Sequence, residues 1–373
     1  MKTKLLFGVL AAAALASCNN DDVVKINNGK GIFFHTSLDN PVTRANTISQ
    51  SNLGVFYVTA VGGDPVLMTH NGVRSTDGGN TWNCDRVYFW PDYRVKFFAY
   101  SHLDTTLVKI DNASQKIFGF EPAHTVSGQK DLVVSYNSGT REANEAGGVA
   151  MNFKHALSQI ELRAKCSNSN IKINVRGVKL ANVATKGDFA FPDEVTDASY
   201  VLRQEKWTNL KGSDAPSRAY VIRGDEFSLT GEAKSLMFGN DNFMLLPQKQ
   251  HKWNANRDTT GVYISVLCQI FNVDGNNKTQ LFPKTAGLFG FAAVPVEIDW
   301  QPGKKYTYTL DFCSEGGGAG KPDPDPLDPT NPKDPQIDPD PAVPGKDILG
   351  KPIRFTVTVE EWDEDKSNND IKM

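Results

Sequence analysis

The stretch FKHALSQIELRA, Phe153 to Ala164, alternates in its second half: Ile160, Leu162 and Ala164 fall on one side of an extended chain, and Glu161, Arg163 and Lys165 on the other. A period of two marks a strand with one buried face, because successive Cβ atoms point to opposite sides of a sheet. Ser167-Asn168-Ser169-Asn170 then supplies a turn, and Ile171 to Leu180 returns as a second strand. Gly177 breaks the alternation of that return and marks a β-bulge.

The same pattern extends in both directions. Toward the C-terminus, strands are predicted over Asn242 to Leu246, Val262 to Phe271, Leu288 to Ile298 and Lys305 to Phe312, the last with Tyr306, Tyr308, Leu310 and Phe312 on one face. Toward the N-terminus they are predicted over Gly31 to Leu38, Leu53 to Val61, Val87 to Trp90, Tyr93 to Tyr100 and Asp131 to Tyr136. In the first of these, Ile32, Phe34 and Leu38 share a face opposite Phe33, His35 and Ser37. In Tyr93 to Tyr100, Tyr93, Val95, Phe97 and Ala99 oppose Arg94 and Lys96. Helical periodicity is scarce, and Gly and Pro separate the strands. The fold class predicted is all-β, with two antiparallel β-sandwiches in tandem. The polar, glycine-bearing segment Asn137 to Gly148 sets the boundary between them.

At 373 residues with a net charge of −3, the chain can bury a sizeable core and offers no electrostatic reason to bind nucleic acid. Its start is a targeting device. Met1-Lys2-Thr3-Lys4 is basic, Leu5 to Ala16 is an apolar run of twelve residues, and Leu15-Ala16-Ser17-Cys18 has the form of a bacterial lipobox. The expected outcome is cleavage before Cys18 and lipid attachment to it, with this lipid as the only membrane anchor. Of the other cysteines, Cys84, Cys166, Cys268 and Cys313, none forms a C-x-x-C pair. Two disulfides and buried free thiols both fit.

Lys321 to Gly345 carries nine prolines in twenty-five residues, mixed with Asp. Such a stretch favours polyproline II and is expected neither to pack nor to pair in a sheet. Fully extended, it would form a stiff strap of roughly 75 Å at about 3.1 Å per residue. One more strand, from Ile353 to Val359, lies beyond the strap.

The search for chemistry finds little. Ser75-Thr76-Asp77-Gly78-Gly79-Asn80-Thr81-Trp82 fits S-x-D-x-G-x-T-W, the Asp box of sialidases. Its physics is that of a turn: the Asp side chain caps backbone amides, Gly permits positive φ, and Trp packs underneath. Sialidases repeat the box once per blade. A single copy reads as a turn. The six histidines are scattered with no metal-ligand spacing, and no G-x-S-x-G, H-E-x-x-H or P-loop occurs. No catalytic residue, metal site or cofactor is predicted. Arg223-Gly224-Asp225 is a tripeptide of the kind integrins recognise, and such tripeptides recur by chance.

Several pieces in order resemble the fimbrillins, subunits of type V pili in Gram-negative Bacteroidota. They are the lipobox at Cys18, the early strand followed by Val42-Thr43-Arg44-Ala45, Tyr88-Phe89-Trp90-Pro91 leading to Phe97-Phe98-Ala99-Tyr100, and Asn152 to Ile160. Leu245-Leu246-Pro247-Gln248, Trp300 to Leu310 and the terminal strand ending at Trp362 complete the set. The resemblance implies two transthyretin-like sandwiches with Greek-key connections. It also implies export as a lipoprotein to the outer membrane and cell surface, then a cut after an arginine by a trypsin-like, arginine-specific protease. The cut removes the first strand, and a strand of another subunit fills the space, so that a pilus grows and serves adhesion. By this resemblance the maturation site is Arg44-Ala45, the displaced strand presents Ile32, Phe34 and Leu38, and the candidate donor strand presents Ile353, Phe355, Val357 and Val359.

The division expected is a signal peptide at 1–18, a leader with the first strand at 19–44, an N-terminal sandwich at 45–148 and a C-terminal sandwich at 149–312. A Gly/Pro/Asp-rich linker at 313–352 and a terminal strand with polar tail at 353–373 complete it. The partners implied are other pilus subunits, the protease, a host protein or glycan receptor, and the outer membrane through the lipid. The departures from the family pattern are the strap and the lack of a second donor strand after Trp362. The alternatives are a surface lipoprotein that binds glycan or host protein without polymerising, and a secreted glycoside hydrolase.

Overall fold

A computed structural model of the chain describes residues 31–38, 47–101, 103–192, 201–212, 219–254, 260–313, 320–323, 336–338, 347–350 and 353–362. Cys18, Arg44, Ala45 and the polar tail from 363 lie outside the described residues. Within them the secondary structure is almost all strand, and the α-helical content is the single turn Arg141–Asn144, whose N-cap Thr140 accepts a hydrogen bond from Ala143 N.

The chain builds β-sandwiches. In its first half, a six-stranded antiparallel sheet runs in the order Lys154–His155, Val133–Gly139, Val95–Tyr100, Val55–Val61, Met68–Arg74, Asn83–Cys84. Val95, Phe97 and Ala99 face one core, as the alternation predicts, together with Phe56, Val58 and Phe153. Phe98 and Tyr100, on the reverse face, are equally buried. A four-stranded sheet in the order Trp207–Lys211, Lys186–Ala190, Gln115–Phe120, Val108–Ile110 supplies Ile117, Phe189 and Trp207 to a second core on that side. Phe98 meets Phe191 there edge-on at 5.4 Å. The alternation over Tyr93 to Tyr100 implies one buried face; the strand Val95–Tyr100 is covered on both.

The largest core lies between two further sheets. One places Ser158–Lys165 beside Lys304–Asp311 and the terminal strand Arg354–Glu361. The other runs Ala219–Ser228, Ile171–Ala181, Tyr263–Asp274, Gly290–Pro295, Lys321–Pro322. Ile160, Leu162, Tyr308 and Leu310 of the first sheet meet Ile173, Val175, Ile264 and Val266 of the second. The bulge expected at Gly177 is present: the register with both neighbouring strands shifts between Val175 and Gly177, so that Val175 and Val178 both point inward. A Cβ at Gly177 would lie 2.9 Å from the Ile222 carbonyl oxygen, which excludes larger residues.

Most pairings are antiparallel. Two are parallel ladders, Phe34–Ser37 with Val149–Asn152 and Ser158–Lys165 with Lys304–Asp311. At the end of the second ladder Cys166 and Cys313 form a disulfide. Cys84 and Cys268 remain thiols. Burial pushes both up, Cys84 to about 11, so neither is a nucleophile near neutral pH.

The strap departs from its expected behaviour. Lys321 and Pro322 pair with Ala293 and Ala292 at a sheet edge, and Asp323, Ile337 and Asp338 are buried. An edge position tolerates Pro because its missing N–H is not called on; Asp323 N, one residue later, donates to the Phe291 carbonyl at 3.1 Å.

Candidate functional site

The first strand sits in a seat made by residues far from it in sequence. Gly31 bridges Phe89, and Ile32 N donates to the Tyr88 carbonyl at 2.7 Å. On the opposite edge Val149 N donates to the Phe33 carbonyl (2.9 Å) and Phe153 N to that of Ser37 (2.8 Å). The strand is thus paired along one edge with Val149–Asn152, and its lead-in, Gly31-Ile32, is fastened on the other side to Tyr88-Phe89.

Its side chains obey the predicted division. Ile32, Phe34 and Leu38 are 4%, 2% and 4% exposed and belong to the core of the six-stranded sheet. Phe34 inserts between Phe56 and Phe97, meeting both rings edge-on at 6.1 and 5.7 Å. His35, on the other face, is exposed. Ser37, placed on the outer face by the alternation, is buried because its hydroxyl donates to Asn152 Oδ1 at 2.6 Å. Each apolar side chain is worth about 1.5–3 kcal/mol on burial, so three hold the strand with roughly 5–9 kcal/mol before entropy is counted.

The Asp box buttresses this seat. Asp77 accepts from Thr81 N (2.9 Å), Thr81 Oγ1 (2.6 Å) and Ser75 Oγ (2.8 Å). The hydrogen bonds from Thr81 and Ser75 hold its carboxyl down at about 2. Trp82 packs on Phe56 at 4.9 Å, and its indole N–H donates to the Gly79 carbonyl. Gln50 Nε2 donates to Thr36 Oγ1 of the first strand at 2.7 Å and to the Gly79 carbonyl at 3.3 Å, joining strand and turn. The octet is the turn its sequence suggested.

The chain beyond the expected maturation site is anchored independently of the strand. Ile48 N donates to Asp131 Oδ2 at 3.0 Å, and Gln159 Nε2 to Thr47 Oγ1 at 3.3 Å. The same Asp131 oxygen lies 2.8 Å from His155 Nδ1, in a pair that is essentially fully buried. The imidazole stacks on the Trp362 indole at 4.5 Å and an interplanar angle of 6°. His155 is wholly buried, with its Nδ1 on Asp131 and its ring face on Trp362. Sequence reasoning missed this node, since Asp131, His155 and Trp362 have no spacing that announces them.

The terminal strand lies on its own sheet. Arg354 to Glu361 pairs antiparallel with Lys304–Asp311 in unbroken register, from Asp311↔Arg354 to Lys304↔Glu361. Of the four expected donor side chains, Ile353 is buried and Phe355 half-buried against the sandwich core. Val357 and Val359 lie opposite Tyr308 and Tyr306 and remain 39% and 53% exposed. The apolar row is real, but its outer half is uncovered because the strand stands at the sheet edge. Arg223-Gly224-Asp225 lies within the strand Ala219–Ser228, packed against Phe238, and not at a loop tip.

Among the described residues no group of three or more His, Cys, Asp or Glu is arranged to hold a metal, and no helix is long and apolar enough to cross a membrane. A pocket of about 260 Å³ is lined by polar groups including Glu161, Arg163, Asp241 and Lys305.

Comparisons with known proteins agree with this architecture. The sequence profile of a family described as fimbrillin-like matches residues 43–320. A fimbrial protein from Bacteroides vulgatus superposes with a TM-score of 0.52 at 16% identity, covering 90% of this chain and 100% of its own. A proposed cell adhesion protein from Parabacteroides distasonis superposes with a TM-score of 0.50 at 9% identity, covering 89% of this chain and 98% of its own. At these identities the likeness shows the fold. A search of curated protein sequences finds no match.

Proposed function

The chain belongs to the fimbrillin-like family, and from that premise we propose that it is a subunit of a cell-surface pilus, assembled with other subunits by strand exchange and serving adhesion. It is a structural protein rather than an enzyme. In this reading the lipid on Cys18 carries the precursor to the outer membrane. An arginine-specific protease cuts between Arg44 and Ala45, and the strand bearing Ile32, Phe34 and Leu38 leaves. A row of apolar side chains from a neighbour, on the pattern of Ile353, Phe355, Val357 and Val359, takes its place. The division into sandwiches at 45–148 and 149–312 belongs to the same proposal.

The observation that carries the reading is the seat of the first strand. It is held along one edge by residues 149–153 and at its start by residues 88–89, while the next anchored residues, Thr47 and Ile48, have partners of their own in Gln159 and Asp131. Losing the strand removes three core side chains and unpairs the edge of Val149–Asn152 without unfastening the chain from residue 47 onward. Unpaired edges are sites of strand addition, and an added strand regains the hydrogen bonds and the burial together.

A second reading, a surface lipoprotein that binds glycan or host protein and stays monomeric, draws on the terminal strand, which is fully paired in its own sheet. Treatment of the purified precursor with an arginine-specific protease separates the two. A subunit loses the residues up to Arg44 and forms a ladder of heat-resistant oligomers; a monomeric binder gives one band after the same cut.

A further inference from the structure

The two ends of the strap meet. Residues 320–323 pair along Gly290–Pro295, and the chain entering the terminal strand rests on them. Ile348 N donates to the Gly320 carbonyl at 2.6 Å, and Lys321 Nζ pairs with Asp347 at 3.0 Å. Ile353, the last residue before the terminal strand, packs over Gly320: a Cβ there would lie 3.2 Å from Ile353 Cδ1 and 2.5 Å from the Ala293 carbonyl oxygen. Gly320 also has φ +74°, so glycine is required on both counts. Upstream, the disulfide ties Cys313 to Cys166, and whatever part of the C-terminal chain moves begins after it.

The catch of this neck is Asp323. Its side chain is fully buried, 2.7 Å from Lys179 Nζ, and accepts from the Tyr263 hydroxyl at 2.9 Å. Lys179 is itself 2% exposed, and its ammonium stands 4.5 Å from the centre of the Phe291 ring. It lies between Val178 and Leu180, which face the sandwich core, and so projects from the outer face of the sheet. A lysine on an outer sheet face normally keeps its charge in water. Here both charges lose water when the strap docks and recover it when the strap leaves. The Coulombic gain of such a pair is largely offset by desolvation, so it sets register without binding as firmly as an apolar contact of equal size.

We infer that Lys179 and Tyr263 form a carboxylate socket for a Pro-Asp segment, filled by the chain's own Pro322-Asp323, and that this releasable clasp keeps Arg354–Glu361 on its own sheet. The inference rests on the strand-exchange reading for its role in assembly, since a strand donated to a neighbour must first leave home. The family profile ends at residue 320, so the socket residues Lys179 and Tyr263 lie within it and the Pro322-Asp323 segment lies just beyond it.

The test compares the full-length protein with Asp323→Asn and with the double variant Lys179→Met/Asp323→Asn, reading hydrogen exchange of amides 354–361 before any protease is added. Asn keeps a partner for Tyr263 but leaves Lys179 without its counter-charge. Exchange over 354–361 then rises at least roughly tenfold, while amides of Tyr263–Asp274 hold their protection. The double variant removes the stranded charge and returns protection to the wild-type level or above. If Asp323→Asn does not fold, Tyr263→Phe decides in its place: it removes one donor to the Asp323 carboxylate and keeps the ion pair, and exchange over 354–361 must rise above wild type. A folded Asp323→Asn or Tyr263→Phe protein with unchanged exchange over 354–361 overturns the clasp. Protease treatment of the same samples keeps the two ideas apart: a loosened strand that never gives oligomers leaves the clasp standing and removes strand exchange.

Discussion

Truncating Phe34 to alanine tests the seat of the first strand directly. Phe34 is 2% exposed and wedged between Phe56 and Phe97. Removal of a buried phenyl ring costs about 3–5 kcal/mol, from lost transfer energy and from the cavity left between those two rings. The three apolar side chains together hold the strand with roughly 5–9 kcal/mol, so this one change removes about half of the grip. The amides of Val149 and Phe153 report on it, because they donate to the carbonyls of Phe33 and Ser37. In the uncut precursor, their exchange is expected to accelerate by roughly two to three and a half decades, at about 1.4 kcal/mol per factor of ten. Amides in the middle of Tyr263–Asp274, which belong to a different core, should change far less. Equal acceleration at both places would mean that the strand opens only with the whole fold. Unchanged protection of Val149 and Phe153 would mean that Phe34 does not hold the strand; either result refutes the idea of a separately releasable plug.

Two further predictions concern other parts of the fold. The Asp77 carboxyl lies at about 2, below its ordinary value of 3.8, so the turn's carboxylate hydrogen bonds are fully present above about pH 4 and are lost as pH falls toward 2; the Thr81 amide shift in an NMR titration should track that window, and Asp77→Asn should abolish the transition. Reducing Cys166–Cys313, which closes a separation of 147 residues, should lower stability by about 2–5 kcal/mol, read as a drop in Tm on adding reductant and absent from a Cys166→Ala/Cys313→Ala variant.

The features legible in the chain were local. The alternation of Ile160, Leu162 and Ala164, the bulge at Gly177, the buried face of the first strand and the Asp-box turn are all set by neighbours within a few residues. The features that could not be read depended on distant partners. Phe98 and Tyr100 are buried because Phe189 and Phe191 arrive from another sheet. Asp131, His155 and Trp362 form one stack from three separate segments. The strap misled for the same reason. The fate of Asp323 is decided by Lys179, a lysine on a distant strand. The cysteine pairing was open in the sequence and is settled by a parallel ladder that brings Lys165 beside Asp311.

N-terminal sequencing of the protein sheared from the surface of cells that make it, alongside an Arg44→Gln variant, bears most directly on the exchangeable strand. The account predicts a mature chain that begins at Ala45 and is found in polymers, with the variant retaining Ile32, Phe34 and Leu38 and remaining monomeric. Surface polymers whose subunits still carry the first strand would contradict it.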